Sequence, residues 1–426
     1  MLESACWINP HSTVVPRFIA GNSLDNPIVA DVIKSAIVIL ILLTAFAYMT
    51  LIERRVIAKI QGRLGPNRAG PFGLLQPLAD AVKMAFKEQI VPTQAKKSIY
   101  LIAPVISVIV ALSAFAVIPI GNSWIDGKQS IWDPLIADIN VGLLWILSIS
   151  SLAVYGIVLG GWSSGNRYSL LGSLRSAAQM VSYETSLGLA LSGTLMWAGT
   201  LSLVGIIHAQ LNQGIWFIFA QPLGFVVYII AAIAEVNRAP FDLPEAEQEL
   251  TAGYLTEYSG LRWSLYQMSE YINMITVSAV ASTLFFGGWS FFGFGLERIP
   301  GVSLLIFLVK VAFFLFLFIW IRATLPRIRY DRLMRFGWQL LLPLAVLNVI
   351  ITATVVALGW PWWVNGLAGL IVIVALLLSA RRQTAAAQTA VSDRIKGAMV
   401  LPSSVHLAKF AGAKEEPNSA VQKVKA

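Results

Sequence analysis

Nine stretches of mainly apolar residues dominate the chain, and each is close to the roughly 20 residues that a helix needs to cross a lipid bilayer. They lie near residues 32–52, 99–120, 140–161, 178–198, 215–235, 271–292, 302–321, 338–358 and 363–380. Lipid cannot hydrogen-bond to exposed backbone groups, so helices are the expected elements. The sequence therefore predicts an all-α, polytopic membrane helix bundle with about nine transmembrane helices.

Composition supports a membrane protein and limits its chemistry. Of the 426 residues, 57% are hydrophobic and 12% are charged, whereas a soluble domain carries about 25% charged residues. Cys6 is the only cysteine, which excludes a disulfide framework and a cysteine-ligated iron–sulfur cluster within this chain. No Walker loop or dinucleotide fingerprint is present, so nucleotide chemistry is expected elsewhere. We predict no metal site.

Positive charge predicts the orientation of the spans. Lysines and arginines cluster after the first, third, fifth, seventh and ninth spans, and the other loops carry few of them. A basic excess marks the cytoplasmic side, so the net charge of +9 does not indicate nucleic acid. We therefore expect residues 1–31 to form a non-cytoplasmic N-terminal arm and residues 32–382 to form the membrane domain. Residues 383–426 are predicted to be a flexible, basic cytoplasmic tail.

The first cytoplasmic loop, residues 53–98, combines an irregular segment with an amphipathic one. Residues 53–73 read ERRVIAKIQGRLGPNRAGPFG, and residues 74–88 follow a helical pattern with one apolar face. That face carries Leu75, Leu78, Ala79, Val82, Ala85 and Phe86, opposite Gln76, Asp80, Lys83 and Lys87. The segment is too polar to span, so we predict a helix along the membrane surface. The basic residues either contact lipid headgroups or wall an opening for an amphiphile.

Two charged side chains fall well inside predicted spans, away from their ends, where such residues are functional candidates. Glu184 lies in the fourth span and is a candidate for proton exchange, the alternative being a hydrogen-bonded link between helices. Lys310 lies in the middle of the seventh span. It is expected to face a partner, water or a cavity, in either an ion pair or a proton relay.

A second acidic group follows the fifth span, in the sequence EVNRAPFDLPEAEQELTAGYLTEYSG. Its acidic residues are Glu235, Asp242, Glu245, Glu247, Glu249 and Glu257, opposed by Arg238. Pro240 and Pro244 prevent a regular helix, and Phe241 adds an aromatic group. Carboxylates this close cannot all ionise cheaply in a low dielectric, so we expect residues 236–270 to form an acidic loop whose carboxylates share protons. The alternative is a solvated acidic loop.

Three long segments resemble the family of H-type membrane subunits of NADH-quinone oxidoreductase, respiratory complex I. They are ERRVIAKIQGRLGPNRAGPFGLLQPLADAVKMAFKE, the acidic segment quoted above, and IWIRATLPRIRYDRLMRFGW. The resemblance covers roughly residues 30–360. It implies a membrane subunit that walls part of a quinone tunnel and begins a chain of carboxylates linking quinone reduction to proton translocation.

The resemblance also assigns roles to individual positions. The quinone-tunnel residues are expected to be Arg54, Arg63, Arg68 and Phe241. The proton-coupling residues are expected to be Glu184, Glu235, Asp242, Glu245, Glu247 and Glu249. The family implies quinone as substrate and no cofactor held by this chain, with FMN and iron–sulfur clusters in partner subunits. Those partners are hydrophilic quinone-site subunits and neighbouring membrane subunits, in a bacterial cell inner membrane.

Two other interpretations remain at this point. One is a membrane subunit of a related energy-converting hydrogenase or formate-oxidising complex. The other is a proton-coupled secondary transporter with a site near the bilayer midplane. The acidic set lies at the cytoplasmic rim of the predicted bundle, which disfavours the transporter. Copurification with flavin and iron–sulfur subunits that oxidise NADH would separate the three interpretations.

Overall fold

The computed structural model describes residues 27–121, 136–242, 253–291 and 301–399, and these residues form helices and loops without a strand. The α-helices are α1 (Pro27–Ile60), α2 (Gln76–Phe86), α3 (Lys97–Phe115), α4 (Gly142–Ser163), α5 (Arg167–Ala198), α6 (Leu203–Gln213), α7 (Phe217–Ala220), α8 (Pro222–Glu235), α9 (Leu261–Phe285), α10 (Val302–Thr324), α11 (Tyr330–Phe336), α12 (Leu342–Ala357) and α13 (Trp362–Met399). The prediction of an all-α membrane fold is confirmed. The N-terminal arm lies almost entirely outside the described residues, as does the tail beyond residue 399.

Six helical segments of the described chain are long and apolar enough to cross a membrane. A seventh span is added if α5 and α6, which are bent by 56° relative to each other, count as one. The other two predicted spans are also largely helical, as α7–α8 and as α9. Helix α8 has only 14 residues because the chain breaks at Gln221, directly before Pro222. Proline cannot donate the backbone hydrogen bond that would continue a helix from α7.

Helix α9 is less apolar than a lipid-facing span because other helices surround it. It packs against α1, α3, α6 and α10, and most of its residues from Tyr266 onward are buried. Several of its buried hydroxyls bond within the helix, as when Ser278 donates to the Met274 carbonyl over 2.7 Å. Thr283 donates to the Val280 carbonyl in the same way, over 2.9 Å. A helix enclosed by protein can therefore carry polar residues that a helix in lipid could not satisfy.

Helix α5 lies at the centre of the bundle, in contact with α4, α8 and α12. Close packing around α4 depends on glycine. A Cβ at Gly156 would overlap the Ser107 hydroxyl of α3, and a Cβ at Gly160 would overlap the Tyr266 hydroxyl of α9. Lipid provides little hydrophobic driving force for helix association, so membrane helices associate largely through close packing. Small residues allow that close packing. These contacts bring α3, α4, α5, α8 and α9 around a common interior.

The predicted amphipathic helix forms as α2, and its apolar face is uncovered in this chain. Leu78 is 62% exposed and Phe86 is 88% exposed, and no residue of α2 is buried. On the polar side, Asp80 accepts hydrogen bonds from Arg54 and from Gln76, over 2.8 and 3.0 Å. The exposed apolar face is suited to a membrane surface, and that placement stays a prediction.

The chain divides into two compact units, residues 1–369 and 370–426. The first holds α1 to α12 and the beginning of α13. The described part of the second is helical from residue 370 to residue 399. The predicted flexibility of residues 383–426 stays a prediction.

Candidate functional site

The basic loop after α1 forms an open depression on the surface. Its lining includes the three arginines predicted for the tunnel, Arg54, Arg63 and Arg68. Arg54 is held by the ion pair with Asp80, and Arg63 Nε donates to Gln61 Oε1 over 2.7 Å. Between Arg63 and Arg68, the backbone around Pro66 is irregular. The structure therefore brings the three predicted arginines into one depression.

A second depression adjoins the first on the same loop. It shares Arg63 and the segment from Leu64 to Asn67, and it adds Arg55, Lys59 and Phe72. Leu64 is 91% exposed and Phe72 is 77% exposed. Cationic groups thus alternate with apolar side chains around both openings. Such a surface matches a molecule with a polar head and an apolar body.

Phe241, the fourth residue predicted for the tunnel, lies in the packed interior. It is 5% exposed, and its ring is 5.7 Å from that of Tyr183 and 6.4 Å from that of Phe336. It is not among the residues that line either depression. Within the described residues, Phe241 contributes to packing between α5 and α11.

Two adjoining cavities lie inside the bundle between α3, α4, α5, α8 and α9. The space open to the centre of a water molecule is about 40 and 20 Å³ in the two cavities, and Glu235 at the end of α8 lines both. Asn273 of α9 also lines both cavities, and Glu270 lines the smaller one. Tyr254 donates its hydroxyl to Glu270 Oε1 over 3.3 Å. Two carboxyl groups from different helices therefore line the smaller cavity, which also has Ser107, Asn237 and Asn273 in its wall and can hold water.

Glu184 lies close to this interior on α5. Its carboxylate accepts a short hydrogen bond from the Ser151 hydroxyl of α4, and it is near enough to Glu235 for their charges to interact. Glu184 is half-buried. Glu184, predicted within a span, and Glu235, predicted at the end of another span, are thus close to each other in the fold.

Glu53 forms a buried charge cluster that the sequence analysis did not predict as a site. It pairs with Arg238 over 3.5 Å and forms a shorter ion pair with Arg322 at the end of α10. The side chains of Glu53 and Arg238 are only 6% and 5% exposed. The Arg238 guanidinium also lies 4.0 Å from the centre of the Tyr271 ring. This cluster joins α1, α9, α10 and the segment after α8.

Glu53 and Glu270, the two carboxylates that were not predicted, both had a signal in the sequence. Glu53 occurs at the end of the first apolar stretch, and Glu270 occurs directly before the sixth. An ionisable group at the edge of a span is a functional candidate for the same reason as one within it. Glu53 is followed directly by two arginines in a basic loop, so its burial is visible only in the fold.

The acidic loop is described at its two ends. Asp242 is 4% exposed and pairs with Arg327 over 3.2 Å. Glu257 Oε1 accepts a hydrogen bond from Asn166 over 2.7 Å. Arg327, which the sequence marks only as an orientation signal, is therefore a partner of a predicted coupling residue. The remaining predicted coupling residues lie outside the described part of the chain: Glu245, Glu247 and Glu249.

Lys310 has a different environment from the carboxylates. Its ammonium donates to the backbone carbonyls of Phe286, Gly288 and Ser290, and it lies 4.9 Å from the centre of the Trp216 ring. These carbonyls follow the end of α9, where helical carbonyls lack partners. A lysine there is also favoured by the helix dipole. In the described contacts, Lys310 is a hydrogen-bond donor to the backbone at the end of α9.

Among the described residues, no group of three or more histidine, cysteine, aspartate or glutamate side chains could hold a metal ion. The lining of the interior cavities instead includes carboxyl, hydroxyl and amide groups. Such groups can bind and transfer protons through hydrogen bonds and enclosed water.

Comparison with known proteins identifies the family of this chain. The family model described as NADH dehydrogenase matches residues 33–353. The H-type subunit of the NADH-quinone oxidoreductase of Deinococcus deserti is 52% identical over 351 residues, which cover 81% of this chain and 89% of that protein. NADH-quinone oxidoreductase subunit 8 of Thermus thermophilus is 53% identical over 329 residues, covering 77% of this chain and 87% of that protein.

A third relative gives the same result. An H-type subunit of the Geobacter sulfurreducens enzyme is 48% identical over 340 residues, which cover 78% of this chain and 96% of that protein. These findings confirm the resemblance drawn from the three sequence segments and favour it over a secondary transporter. The chain belongs to the NADH dehydrogenase family, as a membrane subunit of NADH-quinone oxidoreductase of the H type.

Proposed function

We propose that this chain walls the membrane end of a quinone path and couples quinone reduction to proton translocation through its carboxylates. The observation that carries the coupling proposal is the interior space lined by Glu235 and Glu270, with Glu184 beside it. The path is proposed from the two depressions around the basic loop. Both features lie in the part of the chain that matches the family.

The depressions suit a quinone because its headgroup accepts hydrogen bonds while its tail is apolar. Arg54, Arg63 and Arg68 offer donors in the first depression, and Phe72 and Leu64 offer apolar surface in the second. The uncovered apolar face of α2 lies next in the chain. A quinone leaving the lipid would meet this face before the arginines.

The interior carboxyls suit proton transfer because they belong to different helices and lie close together: Glu235 and Glu270 line the smaller cavity, and the charge of Glu184 interacts with that of Glu235. Glu235 ends α8, Glu270 lies in α9 and Glu184 lies in α5. Two carboxyls this close disfavour simultaneous ionisation, so a charge change near one alters proton binding at the other. The other predicted coupling residues would extend this set toward the cytoplasmic rim: Asp242, Glu245, Glu247 and Glu249.

Electron transfer is assigned to partner subunits. A single cysteine cannot supply the four thiolates of a typical iron–sulfur cluster, and the relatives are named for a reaction between NADH and quinone. FMN and iron–sulfur clusters would therefore lie in hydrophilic subunits docked near the basic loop, with other membrane subunits at the side of the bundle. We place the N-terminus outside and the C-terminus in the cytoplasm, in a bacterial inner membrane.

The test is Glu235→Gln in the assembled enzyme, measured in membranes with equal complex content. The amide keeps the shape of the side chain but removes a titrating group, so quinone reduction and proton pumping should both fall about 10-fold or more. Glu257→Gln is the matched control, since Glu257 is on the nearby loop but does not line the cavities. Wild-type turnover and pumping in Glu235→Gln would refute coupling through this carboxyl.

A further inference from the structure

The segment from Glu235 to Asp242 holds three ionisable side chains in a compact turn. Glu235 faces the cavities, Arg238 reaches Glu53, and Asp242 reaches Arg327. Within the turn, Arg238 N donates to the Ile233 carbonyl over 3.4 Å, a long hydrogen bond, and Phe241 N donates to the Arg238 carbonyl over 2.9 Å. The turn therefore depends also on contacts from outside.

Gln179 of α5 supplies such a contact at both ends of the turn. Its Nε2 donates to the carbonyl of Ala234 and to the carbonyl of Phe241, each over 2.7 Å. The side chain is fully buried. Its Oε1 accepts no hydrogen bond from the described residues. Because both neighbours are acceptors, the amide must present its NH₂ group, which has one hydrogen for each carbonyl.

The two bridged carbonyls stand next to the functional side chains. Ala234 precedes Glu235, and Phe241 precedes Asp242. A single amide thus bridges the two ends of the turn. It also links the turn to the helix that carries Glu184, five residues further along α5 than Gln179. This link therefore holds the segment that carries Glu235 against the helix that carries Glu184.

We propose that Gln179 is a positioning residue for quinone-coupled proton transfer, holding Glu235 and Arg238 in their working geometry. The inference rests on the proposed function, because it assigns to Gln179 the orientation of the carboxyl that function uses. The amide touches neither quinone nor the transferred proton. Its effect passes through the backbone of residues 234–241.

The experiment uses Gln179→Met in the assembled enzyme. Methionine keeps the length and approximate volume of the side chain but donates no hydrogen bond. The kcat for NADH:quinone reduction per assembled complex should fall about 10-fold, because misplacing a reacting group by about 1 Å can cost that much or more. The quinone KM should stay near the wild-type value, since the basic loop is unchanged. Oxidation of NADH by a hydrophilic artificial acceptor should also be unchanged.

Gln210→Met is a control for loss of a buried amide bridge, and it is the more severe change because Gln210 Oε1 also accepts a hydrogen bond from Phe217 N over 3.2 Å. Gln210 Nε2 donates to the carbonyls of Thr283 and Leu284, over 3.0 and 3.2 Å, and the side chain is 2% exposed. This bridge lies roughly 20 Å further along α9 than Glu270, at 1.5 Å per residue. Its loss should lower complex content without lowering turnover per complex. The assignment of Gln179 would be overturned if both variants lost turnover per complex equally. It would also be overturned if neither variant lost turnover.

A rise in quinone KM at constant kcat would equally overturn it. If Gln179→Met does not accumulate, Gln179→Asn is measured, because it keeps the amide but withdraws it by one methylene. Wild-type turnover per complex in that variant would overturn the proposal, and a reduced kcat would support it. Full activity of the Glu235→Gln variant would refute the proposed function itself. If Glu235→Gln loses turnover while the Gln179 variants keep full turnover, only the inference about Gln179 is refuted.

Discussion

Replacing Glu53 by glutamine tests whether the buried charge cluster fixes the cytoplasmic end of the bundle. The change removes the negative charge between Arg238 and Arg322, while the glutamine oxygen can still accept one hydrogen bond. The Arg238 side chain is 5% exposed, so its charge would be left in the interior, whereas Arg322 is 25% exposed and keeps some contact with water. Removing one partner of a buried ion pair costs about 3–5 kcal/mol.

The Tyr271 ring reduces that cost. It faces Arg238 at 4.0 Å, and a desolvated cation–π contact contributes about 2 kcal/mol. This contact persists in the variant and helps to retain the cation. We therefore expect Glu53→Gln to destabilise the subunit by about 3 kcal/mol, the lower end of the range.

The assay is the apparent thermal midpoint of the purified complex, followed at a fixed heating rate because unfolding of large assemblies is often irreversible. Asp80→Asn is the matched control. It breaks the Arg54–Asp80 pair, whose side chains are 54% and 31% exposed, and should cost at most about 1 kcal/mol. A shift for Glu53→Gln no larger than that for Asp80→Asn would refute the reasoning.

A double variant sharpens the test. Adding Arg238→Met to Glu53→Gln removes the stranded cation, so part of the lost stability should return. The difference from the sum of the single variants measures the coupling between the two residues. Additive losses would show that the two side chains do not stabilise the fold as a pair.

Three further outcomes follow from the described contacts. Arg63→Ala should raise the apparent quinone KM while NADH oxidation by a hydrophilic acceptor persists, and equal loss of both activities in an intact complex would contradict the quinone-path proposal. Lys310→Met leaves the carbonyls after α9 without this donor, so the thermal midpoint should fall while turnover and pumping per complex persist; loss of pumping at normal stability would instead indicate a proton relay. Gly160→Ala should destabilise the subunit by about 1–3 kcal/mol through overlap with Tyr266, whereas Gly188→Ala, whose added Cβ meets nothing within 4 Å, should leave the thermal midpoint unchanged or slightly higher.

The helical class could be predicted because the bilayer removes the other choices. An apolar stretch in lipid must satisfy its own backbone, and only a helix does so within one segment. The amphipathic helix α2 was equally visible, since its apolar residues recur with helical spacing. The break before Pro222 had a signal in the sequence, since proline cannot continue a helix, although no break was predicted there. The enclosed position of α9 was not visible, because it depends on the helices that pack around it.

The candidate site shows the same division between sequence and fold. The sequence by itself determined which residues carry charge in an apolar chain, and Glu184, Glu235 and Lys310 were identified on that basis. Only the tertiary structure decided their partners. It gave Lys310 three backbone carbonyls and placed Glu184 beside Glu235.

Contacts between residues far apart in the chain were the hardest to predict from sequence patterns. Glu53 meets Arg238 and Arg322 across separations of 185 and 269 residues, and Gln179 bridges two carbonyls, those of Ala234 and Phe241, on another segment. Hydrophobic periodicity reports which face of a helix avoids lipid, but it does not report which helix lies opposite. That choice is made by the packing of whole helices, because a buried charge or amide is stable only where several elements bring it a partner.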